Sequence, residues 1–175
     1  MTASGLVIRA EAPRDRAAIY GVNARAFGRD NEARLVDALR ATNAFIPDLS
    51  LVAERGGQVL GYVLFSRLTI DTASGAIAAL ALAPVAVEPD HQQRGIGSSL
   101  IRFGLDRARE QGHRVVIVLG RATYYSRFGF APADHRGIAA PFPVPRESFM
   151  YLDLVAGASA EAAGTVRYPA AFGNV

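Results

Sequence analysis

Apolar residues recur along this chain with two different periods, and the switches between them mark its elements. Leu6-Val7-Ile8-Arg9-Ala10 reads as a first strand. Pro13 stands where the first turn of a helix tolerates a missing N–H. Ile19, Val22, Ala26 and Phe27 then fall at helical spacing. Gly28-Arg29-Asp30-Asn31 breaks that pattern, with Asp30 or Asn31 as N-cap of a second helix. Leu35 and Leu39 lie on this helix, which Asn43 and Pro47 end. Stretches 49–55 and 59–70 predict a hairpin about Gly56-Gly57, a dipeptide that readily supplies positive φ. A turn at 71–75 leads into a strand ending at Val87. Leu100, Ile101, Leu105 and Ala108 share one face of a third helix that Gly112 stops. Arg114 to Gly120 is almost continuously apolar, as in a strand covered on both faces. A short helix over Ala122–Arg127, a strand to about Ala133, a proline-bearing loop at 134–146 and a last strand over Glu147–Val155 complete the body. The tail, 156–175, ends in aromatic residues that predict packing back onto it. The order β-α-α-β-β-β-α-β-α-β-β gives an α/β (α+β) class with about seven strands and four helices, in one domain over 1–175.

Within this pattern one stretch carries chemistry. An apolar run, Leu80 to Val87, breaks at Glu88-Pro89-Asp90, and Gly95-Ile96-Gly97 follows just before a helix. A helix N-terminus leaves about four N–H groups without intrahelical partners and carries partial positive charge. Glycine lets a ligand approach that backbone closely. The product is an anion cradle suited to phosphate or pyrophosphate, although the same residues also serve an ordinary strand-to-helix turn. A dinucleotide fingerprint needs a third small residue where Leu100 stands. A nucleoside-triphosphatase loop needs lysine, and the chain has none.

Composition narrows the classes further. The 175 residues are half hydrophobic and one fifth charged, which describes a folded globular chain. There is no cysteine, so neither a thiol nucleophile nor a disulfide is available. The histidines His91, His113 and His135 have no metal-ligand spacing, and no metal is expected. All 19 basic residues are arginine, against 16 acidic ones. They are scattered without aromatic interleaving, so a solvated surface is expected rather than a nucleic-acid partner. No apolar run reaches a membrane span and no leader pattern is visible, so a cytoplasmic protein without membrane association is expected.

The spacing Gln92-x-x-Gly95-x-Gly97, with Tyr125-x-x-x-Gly129-Phe130 some thirty residues on, resembles the GNAT acetyltransferases over essentially the whole chain. Glu32-Ala33-Arg34-Leu35-Val36, the pair Tyr124-Tyr125 and the run 164–169 are similar to a bacterial YhbS-like subgroup. The resemblance implies a mixed, mostly antiparallel sheet whose central strands splay apart. It implies acetyl-CoA as cosubstrate, held by backbone groups of Val85, Ala86 and Val87 along the pantetheine. Gln92, Gln93, Arg94, Gly95, Ile96, Gly97 and Ser98 surround the pyrophosphate. A Val85 N–H would stabilise the oxyanion, and Tyr125 occupies the family position of the acid. Direct transfer to an amine follows, since no cysteine can carry the acyl group. The base stays open among Glu88, Glu54, Glu32 and a water chain, and so does the amine. The alternative is a degenerate domain that binds acyl-CoA as a sensor. Many members form homodimers, and nothing in the sequence fixes that state here.

Overall fold

The computed structural model describes residues 5–174. Nine strands and four α-helices follow in the order β1 (Val7–Ala10), α1 (Arg16–Phe27), α2 (Asn31–Arg40), β2 (Phe45–Arg55), β3 (Gln58–Thr72), β4 (Gly75–Val87), α3 (Ile96–Glu110), β5 (Val115–Leu119), α4 (Ala122–Tyr125), β6 (Ala131–Pro132), β7 (Ile138–Ala139), β8 (Phe149–Asp153) and β9 (Gly164–Arg167). The main path through the sheet is β1-β2-β3-β4-β5-β8-β6. Every pair on it is antiparallel except β4 with β5. The glycine pair 56–57 makes the β2–β3 turn with positive φ at both residues, as the hairpin reading requires.

Period-two alternation sorts the strands onto two faces. On β2 and β3, Leu51, Ala53, Val63 and Phe65 join Leu100, Ile101 and Leu105 of α3 in one core. Val52, Tyr62 and Leu64 point the other way and meet Ile19, Val22, Leu35 and Leu39 of α1 and α2. Helix α3 lies unusually close to the sheet. A Cβ on Gly104 would stand 2.2 Å from the Phe65 ring, and one on Gly61 would stand 2.8 Å from Ile96. These two glycines set the depth of α3 and hence the position of its N-terminus.

Helix α2 is tied to the sheet by a chain of buried polar groups. Arg40 pairs with Glu11 at 3.0 Å, the Ser50 hydroxyl donates to Glu11, and Ser50 and the Tyr62 hydroxyl lie 2.7 Å apart. Such a chain fixes placement more surely than it adds stability. Burial pushes the Tyr62 hydroxyl pKa up from its ordinary value.

Two strands exceed the seven that periodicity predicts. β3 is fifteen residues long, and β2 pairs it only as far as Ser66. β9, from the tail, takes up the remaining edge at Thr69–Thr72, and β7 pairs with β9 in turn. The expected loop at 134–146 therefore contains a strand, Ile138–Ala139. Leu68, Ile70, Ala81 and Ile117 are left uncovered by α1 and α2, and Ala133, Ile138 and Val166 close over them. Pro47 lies within β2 instead of ending a helix, at an interruption in pairing between Phe45 and Ser50 that tolerates its missing N–H. Asp30 stands at the N-cap of α2 without a side-chain cap bond, its carboxylate being paired with Arg34 at 2.9 Å. Among the described residues no helix is long and apolar enough to cross a membrane.

Gly104→Val should overpack the contact with Phe65 and lower the unfolding free energy by about 1–3 kcal/mol. Denaturant titration reads it directly. Unchanged stability would mean that α3 is free to lift from the sheet.

Candidate active site

The site begins where the only parallel pair on the main path comes apart. β4 and β5 are paired at Leu80–Val116 and Ala81–Ile117 alone, yet β4 continues to Val87 and β5 to Leu119. On its other edge β4 carries a bulge, with Leu64 of β3 facing both Ala83 and Pro84. Pro84 has no N–H to contribute to a ladder, so it fits this interruption. Beyond the bulge, the Glu88 N–H donates to Leu60 O of β3 at 2.8 Å. Backbone groups alternate sides along a strand. The N–H and C=O of Ala86 therefore also face β3, while those of Val85 and Val87 face the open side toward β5.

The turn that follows is shaped by its own side chains. Gln92 Nε2 donates to Val87 O at 3.0 Å, which ties the turn to the end of β4. Gln93 and Gly95 adopt left-handed conformations with φ of 63° and 84°. A left-handed backbone is expected of glycine and costs a glutamine. The first helical bond of α3 is Ser99 N–H to Gly95 O at 3.0 Å. Ile96 is buried in the core beneath, so only its backbone is offered to the cleft. A Cβ at Gly97 would lie 3.3 Å from the Tyr124 hydroxyl and 3.5 Å from Val87. Gly97 thus faces the gap between β4 and α4.

That gap is a cleft of about 840 Å³. It brings together Val85, Ala86, Val87, Gln92, Gln93, Gly95, Ile96, Gly97, Ser98 and Tyr125. Arg94 is exposed and lies outside its lining. Arg121, Arg127 and His91 also line the cleft, and among the described lining residues there is no carboxylate. Arg127 is fixed there, with Nη2 donating to Ser98 Oγ at 3.0 Å and the guanidinium 4.7 Å from the Tyr124 ring centroid.

Tyr125 stands edge-on to Tyr124 and Phe130, with ring centroids 5.0 and 5.8 Å away. It packs on Gly120, where a Cβ would fall 2.4 Å from the ring. Burial, reinforced by Tyr124, pushes the Tyr125 hydroxyl pKa up to about 12. It therefore keeps its proton at neutral pH.

On the far side of the split lies a second cavity of about 560 Å³, sharing Phe27, Val85 and Tyr125 with the first. Its walls are mostly apolar, including Leu35 of α2, Phe142 of the loop and Tyr168 and Phe172 of the tail. Glu32 also lines it, a carboxylate 6% exposed and paired with Arg29, whose Nε donates at 2.8 Å. The other two acidic candidates lie outside this cavity. Glu88 is held by Arg25 at 2.6 and 3.0 Å. Glu54 is held by Arg9, among groove residues that belong to neither cavity.

The sequence reading did not single out Gly120 or Arg121, nor the wall residues Phe27, Phe142, Tyr168 and Phe172 as site residues. Aromatic residues on a loop and a tail otherwise rich in small residues were the available signal.

Residues 8–133 match the family model described as an acetyltransferase (GNAT) domain. The chain is 42% identical over 134 residues to the uncharacterized N-acetyltransferase YjhQ of Escherichia coli strain K12, covering 76% of this chain and 74% of that protein. A crystal structure of the GNAT N-acetyltransferase YhbS from Escherichia coli, in complex with CoA, superposes with a TM-score of 0.90 at 34% identity, covering 99% of this chain and 94% of that one. A GNAT acetyltransferase from Brucella melitensis, in complex with acetyl-CoA, gives a TM-score of 0.79 at 38% identity over 95% and 97% of the two chains.

Gly120→Ala should displace the Tyr125 ring toward solvent and bring its titration down from about 12 toward the ordinary tyrosine value. Ultraviolet difference titration, with Tyr125→Phe as the blank, measures this. An unmoved titration would show that the ring does not depend on the glycine.

Proposed function

Because this chain belongs to the GNAT acetyltransferase family, we propose that it is an acetyl-CoA-dependent N-acetyltransferase that passes acetyl directly from the thioester to a primary amine, as one domain over residues 1–175. The observation that carries this reading is a split sheet with two unlike cavities. One is lined by cations and helix N–H groups, the other is apolar with a carboxylate, and Val85 and Tyr125 belong to both.

Each part has a physical task. The N–H groups from Gln93 to Ser98 hold the pyrophosphate at the N-terminus of α3. Gln92 acts through Val87 O, shaping the turn instead of touching the ligand. Arg94 contributes only its backbone, while Arg121 and Arg127 supply positive charge for the remaining phosphate. The open edge of β4 at Val85 and Val87 pairs with the pantetheine amides as an added strand would. Ala86 supports this through its bonds to β3. Acetyl-CoA supplies an acyl group activated as a thioester. The Val85 N–H meets the negative charge that develops on the carbonyl oxygen, and one such donor contributes roughly 3 kcal/mol.

Tyr125 serves the leaving sulfur. With its pKa at about 12 it is a weaker acid than a thiol near 8.5. The hydroxyl therefore stabilises the departing thiolate by a hydrogen bond more than by complete proton transfer. A bond to a charged acceptor contributes about 1.5–3 kcal/mol, or roughly 10- to 100-fold in rate. The proton lost by the attacking amine balances the charge on the thiolate. Glu32 lies in the acceptor cavity and can receive that proton directly or through water.

Three measurements test the reading. Thiol release from acetyl-CoA with a panel of amines should show acceptor-dependent turnover. Tight CoA binding with no turnover on any acceptor would identify an acyl-CoA sensor instead. Gly97→Glu should abolish CoA binding while leaving the unfolding midpoint near that of the parent, because its side chain enters the space beside Val87 and Tyr124. Retained CoA affinity would count against the cradle. Tyr125→Phe should lower kcat about 10- to 100-fold with little change in KM for acetyl-CoA. The parent should show no descending limb attributable to Tyr125 below about pH 11. Parental turnover in the variant would remove Tyr125 from the reaction.

A further inference from the structure

The acceptor cavity carries information about its amine that the cofactor cleft does not, and this inference rests on the acetyltransferase reading. Among the described lining residues Glu32 is the only charged one, and no cation is present. The carboxylate is buried, and Arg29, which pairs with it, has a side chain 55% exposed. Arg29 donates to both carboxylate oxygens, its Nε lying 2.8 Å from Oε1 and 3.1 Å from Oε2, which fixes the group while the lone-pair capacity left on it can take a further donor from the cavity. The wall also carries aromatic rings. Phe142 and Tyr168 stack at 5.9 Å with an interplanar angle of 23°, and Tyr168 meets Phe172 at 4.9 Å. These rings come from the 134–146 loop and from the tail that β9 anchors along β3.

This arrangement selects by what it lacks. A second ammonium, as in a polyamine, would be buried without a counter-charge. A carboxylate on the acceptor, as in a free amino acid, would meet Glu32 with no cation among the described lining residues to receive it. An aromatic body would stack on the rings within a cavity of about 560 Å³, a size usual for small-ligand sites. We propose that the acceptor is a primary monoamine bearing one aromatic body, its nitrogen held at Glu32 and its ring packed against Phe142, Tyr168 and Phe172.

The test couples a turnover assay to a binding measurement. Thiol release from acetyl-CoA is followed with phenethylamine, tryptamine, spermidine, phenylalanine and a lysine-bearing peptide. Saturation-transfer NMR follows phenethylamine on the full chain without nucleotide. The arylalkylamines should exceed spermidine and phenylalanine in kcat/KM by roughly 100-fold. Phe142→Ser, on an exposed loop position, should raise the phenethylamine KM about tenfold and leave the acetyl-CoA KM unchanged. Glu32→Gln should weaken saturation transfer to phenethylamine, while unchanged binding in both variants would overturn the assignment. Equal or better turnover of spermidine, phenylalanine or the peptide would also overturn it, with the acetyltransferase reading intact. Phenethylamine that binds in a Glu32-dependent manner but never releases thiol would uphold the ligand class and sink the catalytic reading. Absence of phenethylamine binding at millimolar concentration would overturn the proposal whatever happens to acetyl-CoA.

Discussion

The structure depends on a pairing that stops. β4 and β5 share their ladder at Leu80–Val116 and Ala81–Ile117 and then part. A sheet interior normally satisfies every backbone group, so a break in it must be supported from elsewhere. Here β3 supports it, holding β4 on the other edge through Ala86 and the Glu88–Leu60 bond while the Pro84 bulge absorbs the change in direction. The result is a strand with one satisfied edge and one free edge, facing a wedge that opens to both sides of the sheet. Because Val85 and Tyr125 line both cavities, the wedge is where two ligands can meet.

The two sides of that wedge are built by different means. The cleft at the N-terminus of α3 is mostly local: apart from Ala26 and Phe27, its lining is one turn, one helix N-terminus and the α4 segment, within residues 85–127. Its precision comes from close approach, with Gly61 and Gly104 seating α3 and Gly97 and Gly120 leaving room for the cleft and for Tyr125. The apolar cavity adds to the strand edges residues from α1, α2, the 134–146 loop and the tail. It is held by long-range devices, the Arg40–Glu11–Ser50–Tyr62 chain under α2 and the β9–β3 ladder under the tail. Charge follows the same division, cations on the first side and a carboxylate on the second.

The elements that sequence periodicity located are those whose apolar pattern is long enough to repeat. α1, α2, α3, the β2–β3 hairpin and β5 fall close to their expected positions. β7 and β9 escaped because Ile138–Ala139 stands between a glycine and a run of prolines, and Gly164–Arg167 in a tail of alanines and glycines, so turn signals and small residues mask them. They form only because the far end of β3 has an unpaired edge and the face beneath it needs cover. The acidic candidates show the same limit. Glu88 follows the central strand directly, but Arg25, 63 positions earlier, takes both its oxygens. Glu54 is taken by Arg9 across the β1–β2 pair. Nothing near either residue in sequence announces its partner.

The sequence by itself determined the order of elements, the glycine-bearing turn before α3 and the tyrosine of α4, because each is a local choice of backbone freedom or side-chain chemistry. Only the tertiary structure decided that Val85 and Val87 present an open edge, that Gln92 ties the turn to β4, and that Glu32 lines the apolar cavity. Those outcomes depend on which strand keeps its neighbour and which arginine reaches which carboxylate. Such contacts join residues far apart in the chain, and periodicity and spacing along one segment do not encode them.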